Sequence, residues 1–60
     1  MNAMKYEICK GVPDGDDIIW TAIAWTDVRS HAVEIATSLR LTTDKPTAVL
    51  VDGEVTIKLL

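Results

Sequence analysis

IIWTAIAWT, residues 18–26, is a run of nine residues with two tryptophans and no charge, in a chain of only 60. Its β-branched and aromatic content favours a strand, against a helical reading in which Ile19, Ala22 and Ile23 share one side. As a regular strand it turns Ile18, Trp20, Ala22 and Ala24 one way and Ile19, Thr21, Ile23 and Trp25 the other. The tryptophans are then expected on opposite faces, one in the core and one on a surface the chain leaves bare. Both faces are mainly apolar, and a domain of this length has one core to offer.

The flanking sequence supplies the partners of this strand. Residues 4–9 alternate, with Met4, Tyr6 and Ile8 on one side and Lys5, Glu7 and Cys9 on the other, which marks a half-buried strand over about 4–11. Pro13, Asp14 and Gly15 then carry the turn chemistry that reverses the chain into residues 18–26. After Thr26 the period changes from 2 to 3.6. Val28, Ala32, Ile35, Ala36 and Leu39 fall on one stripe of a helix over about 28–40, with Thr26 or Asp27 as N-cap. The segment LTTDKP closes it with a proline.

The closing stretch TAVLVDGEVTIKLL reads as a hairpin, strands 47–51 and 54–59, about a two-residue Asp52-Gly53 turn that requires positive φ at both positions. In an unbroken register Val51 faces Glu54, Leu50 faces Val55, Val49 faces Thr56 and Ala48 faces Ile57. Ala48, Leu50, Val55, Ile57 and Leu59 then share one side, and the helix should cover Leu50, Val55 and Ile57 together with Met4, Tyr6 and Ile8. The expected fold is α+β, ββαββ: a single domain with one four-stranded antiparallel sheet and one helix across one face. The other face has no second layer in this chain.

Composition narrows the function. The net charge is -3 and the six bases are scattered, without the basic stripe that phosphate binding needs, so nucleic acid is disfavoured as a partner. A dimeric nucleic-acid-binding or transcription-regulating domain is kept as the alternative reading. No signal peptide or membrane span is legible, which suggests a cytoplasmic protein. Cys9 is the single cysteine, so no disulfide forms within the chain, and with His31 the single histidine no metal cage is expected. Asp14, Asp16 and Asp17 crowd one loop but lack the distal ligands of a calcium site. Cys9 and His31, with Asp27 or Glu34 as orienting acid, lack a glycine-rich elbow or oxyanion loop. No catalytic residue, cofactor or metal is expected.

What remains is a surplus of apolar surface: 48% hydrophobic residues and a mean hydropathy of +0.19 in a domain too small to hide them. A partner chain, most simply a homodimer, is expected to cover it. The candidate interface residues are Ile19, Trp20, Ile23, Trp25, Val49 and Val51, and Asp14, Asp16, Asp17, Asp52 and Glu54 at the hairpin tips are candidate contacts for a basic partner. In length, acidity and strand-strand-helix-strand-strand order ending in VLVDGEV, the chain resembles the small phage-encoded inhibitors of bacterial defence systems, the anti-CRISPR proteins among them. That resemblance includes no motif and transfers no functional residue. It implies a non-catalytic inhibitor that occupies a partner protein's surface.

Overall fold

The computed structural model describes residues 4–60. The order is β1 (Tyr6–Asp14), β2 (Asp17–Thr26), α1 (Arg29–Thr42), β3 (Thr47–Val51) and β4 (Glu54–Leu59). The strands form one antiparallel sheet in the order β2-β1-β3-β4, so the two hairpins join through their first strands and β2 and β4 are the edges. The fold is ββαββ, α+β, as the alternation of periods indicates.

Both hairpins close with two-residue turns. Asp52 (φ 52°) and Gly53 (φ 82°) take the two positive values that the Asp-Gly pair implies. The first turn is tighter than the sequence suggests, because Asp14 pairs with Asp17 and Gly15 alone (φ 63°) takes the left-handed conformation. Pro13 therefore sits inside β1, not in the turn. It is tolerated there because β3 pairs with β1 only over Tyr6–Lys10, so beyond that point β1 and β2 run on as a two-stranded arm.

The helix begins at Arg29 and Val28 is its N-cap, without a side-chain cap. Thr26, expected as a cap, instead accepts a hydrogen bond from the Val28 N–H through Oγ1 at 3.2 Å. At the other end the helix runs two residues past Arg40. There Thr42 Oγ1 donates to the Ser38 carbonyl, the Thr43 N–H donates to the Leu39 carbonyl, and Arg40 Nη1 donates to the Thr43 carbonyl. Ala32 and Ala36, one turn apart, let the helix approach the sheet closely. The core they form with Ile8 and Val49 is ringed by Tyr6, Ala24, Leu39, Ile57 and Leu59. Of the expected stripe, Val28 and Ile35 lie at its exposed margin.

Two bulges redistribute the side chains. In β1–β2, Ile8 pairs with Ala24 and Cys9 with Ala22, so Ile23 is an extra residue. In β3–β4, Val49 pairs with Ile57 and Leu50 with Val55, so Thr56 is extra. An extra residue shifts the alternation by one and exchanges the faces beyond it. The sequence-derived register of the second hairpin therefore holds only next to the turn. Val49 faces Ile57, not Thr56, and Ala48 faces Lys58, not Ile57. Val49, Ile57 and Leu59 pack toward the helix, while Leu50 and Val55, expected beneath it, lie on the opposite face. Val49, a candidate interface residue by sequence, is 1% exposed and belongs to the core.

Candidate protein-binding face

The first bulge overturns the expected division of the tryptophans. β1 pairs with β3 in unbroken register, so Glu7, Cys9 and Gly11 all point away from the core residue Ile8 and the helix. Trp25 stands opposite Glu7 and Trp20 opposite Gly11. Both indoles are thus on the face that the helix leaves bare. Five residues would separate their sides in a regular strand, and the extra residue Ile23 restores them to the same one.

Cross-strand register lays this face out in rows. Trp25, Glu7, Leu50 and Val55 lie side by side across β2, β1, β3 and β4, followed by Ala22, Cys9, Ala48 and Lys58. In the third row, Trp20 stands beside Gly11, whose N–H donates to the Pro46 carbonyl at 2.7 Å. The two indole rows are four residues of β1 apart, or about 13 Å at strand rise. Cys9 and Ala48 are buried although, among the described residues, no second layer lies above them. Short side chains there lie below the level of the larger ones in the adjoining rows.

Trp20 and Trp25 are set differently within the face. A Cβ on Gly11 would stand 2.8 Å from Trp20 Cζ3, 2.6 Å from Ile18 Cγ2 and 3.2 Å from Pro46 Cβ. Trp20 and Ile18 occupy the space a side chain at position 11 would need, and Trp20 is half-buried. Trp25 is 63% exposed, with Lys5 Nζ 5.5 Å from its ring centroid in a cation–π contact. Burial, and to a lesser degree the carboxylate of Glu7, pushes the Cys9 thiol above its ordinary range. The thiol is therefore held protonated, the unreactive form.

The remaining sequence-derived candidates are dispersed. Ile19 and Ile23 are exposed on β2, at 53% and 51%, and Val51 is half-buried on the helix side, in register with Tyr6. The acids Asp14, Asp16 and Asp17 lie at the tip of the arm. Asp52 and Glu54 lie at the other end of the sheet, because β3 runs antiparallel to β1 and Val51 meets Tyr6. The five acids therefore form two separate clusters. Cys9 points away from the helix that carries His31, so the sheet lies between the two. Among the described residues no three His, Cys, Asp or Glu side chains converge as a metal site, and no helix is long and apolar enough to cross a membrane.

Sequence reasoning set Leu50 and Val55 beneath the helix and left Ile18, which stands on the bare face with Trp20, out of the candidate interface. Gly11 was the available signal: a glycine within a strand marks either a bulge or a close approach. Here it marks the approach of Trp20 and Ile18. Comparison with family models, with curated proteins and with solved structures finds no match for this chain.

Proposed function

We propose that this chain is a small, acidic, non-catalytic protein-binding module that self-associates as a dimer and acts by occupying the surface of a partner protein, most concretely as a phage-type inhibitor. The observation that carries the reading is the placement of Trp20 and Trp25 on one bare sheet face, with Trp25 63% exposed. Tryptophan is among the residues that most often dominate binding energy, and it does so from the middle of apolar patches that exclude water. Leu50 and Val55 add apolar side chains on β3 and β4, with Glu7 standing between Trp25 and Leu50 and with Lys5 and Lys58 at the margin.

The acid clusters at the two ends of the sheet serve encounter more than affinity. Charges at the rim of an interface chiefly change association rate and salt dependence. The test is capture of a partner from host extract by the immobilised chain, compared with Trp25→Ser and with Asp14→Ser/Asp16→Ser/Asp17→Ser. The reading expects Trp25→Ser, still folded by circular dichroism, to lose the captured protein. The acid variant should retain it with slower association. Equal capture by wild type and Trp25→Ser would remove the bare face from the function.

A further inference from the structure

The two sheet edges are unlike one another. β4 exposes an edge of six residues that carries Glu54 and Lys58 and is broken by the bulge at Thr56. Charges and bulges are the usual means by which an edge is made unattractive to other strands. β2 exposes an edge of ten residues in which Ile18 through Thr26 carry no charge and no proline. Its one irregularity, at Ile23, leaves Ile18–Ala22 in regular register with β1. An edge of this kind presents a row of free N–H and C=O groups, and what satisfies them is another extended strand.

We infer that the run Ile18–Ala22 of β2 pairs antiparallel with the same run of a second copy, joining two four-stranded sheets into one of eight strands. A second copy is the occupant that fits best, because its β2 is already extended and loses little freedom on pairing. The contact is also isologous, so one two-fold axis covers both β2 edges and closes the assembly. Pairing β2 with the β4 edge of another copy would be head-to-tail and open-ended, and it would set the uncharged edge against Glu54 and Lys58. Full overlap of the run centres the two-fold on Trp20, with Ile18 opposite Ala22 and Ile19 opposite Thr21 of the second copy. Both copies' Trp20 and Trp25 then lie on one continuous bare face. The inference deepens the self-association in the proposed function and rests on it, while the partner-binding part stands separately.

The register supplies the experiment. Ile19→Lys/Thr21→Lys, built on Lys10→Thr because Lys10 faces Thr21 within the chain, changes two exposed positions and sets lysine directly opposite lysine across the two-fold. Sedimentation should show wild type near twice 6.6 kDa and the lysine variant at least about tenfold weaker in association, since like charges facing one another across a strand pair are destabilising. Mixing the lysine variant with Ile19→Glu/Thr21→Glu should restore a heterodimer. Trp25→Ser and Thr56→Lys should remain dimeric. Hydrogen exchange on unmodified protein gives a second readout, with β2 amides gaining protection as concentration rises and β4 amides not. A dimer lost in Trp25→Ser and kept in the lysine variant would overturn the edge pairing while leaving self-association intact. A wild type that stays monomeric at high micromolar concentration would overturn both, and growing assemblies abolished by Thr56→Lys would show head-to-tail pairing instead.

Discussion

Trp20 and Trp25 share one face of the sheet because Ile23 is an extra residue between them, pairing with nothing on β1. Their environments nevertheless differ: Trp20 is half-buried against Gly11, and Trp25 is mostly open to solvent. Trp20→Phe, which leaves Trp25 as reporter, should emit at longer wavelength and be quenched more strongly by acrylamide than Trp25→Phe. Equal quenching of the two would contradict the assignment.

Gly11 is required by its neighbours and not by its backbone angle. Gly11→Ala places a Cβ within 3 Å of Ile18 and Trp20, and overpacking of this kind costs about 1–3 kcal/mol. Thermal melting should show the loss. In a Trp20→Ala background the same change should cost less, because one of the two close neighbours is gone. Additive costs would mean that the two residues do not touch.

Cys9 couples the bare face to pH. Its thiol is pushed up by burial and by Glu7, so above pH 9.0, the ordinary value, the unfolded chain releases the proton while the folded chain keeps it. The unfolded state then binds fewer protons, and stability falls as pH rises. Below that value both states are protonated and the group adds no pH dependence. The melting temperature of wild type should drop more steeply above pH 9.0 than that of Cys9→Ala. Parallel curves would show that the thiol is not held protonated by the fold.

Thr47 is fully buried, and among the described residues its Oγ1 has no hydrogen-bond partner. A buried polar group without a partner costs about 1–3 kcal/mol. Thr47→Val keeps the branched shape and removes the hydroxyl. It should raise the melting temperature, and a lowered one would indicate that the hydroxyl is satisfied.

The parts of the fold that depend on local chemistry were legible in the sequence. Asp52-Gly53 announced its turn because few other pairs accept positive φ twice, and Ala32, Ala36 and Leu39 announced a helix by their spacing. What periodicity could not reveal were the bulges. Ile23 and Thr56 are ordinary β-branched strand residues, yet each reverses the facing of the strand residues beyond it. The candidate face was therefore half legible: the surplus of apolar side chains was visible, while the identity of the face was wrong for Leu50, Val55, Val49 and Val51. Strand order was not readable either, because any arrangement of two hairpins satisfies the same alternation.

The central claim is that both indoles stand on the face opposite the helix, and proton–proton contacts in solution test it most directly. A nuclear Overhauser spectrum should connect the Trp20 ring to Gly11 Hα and to the Ile18 methyls, and the Trp25 ring to the Lys5 side chain. Neither indole should show a contact to the methyls of Ala32 or Ala36. A contact from either ring to those helix alanines would place a tryptophan in the core and contradict the account.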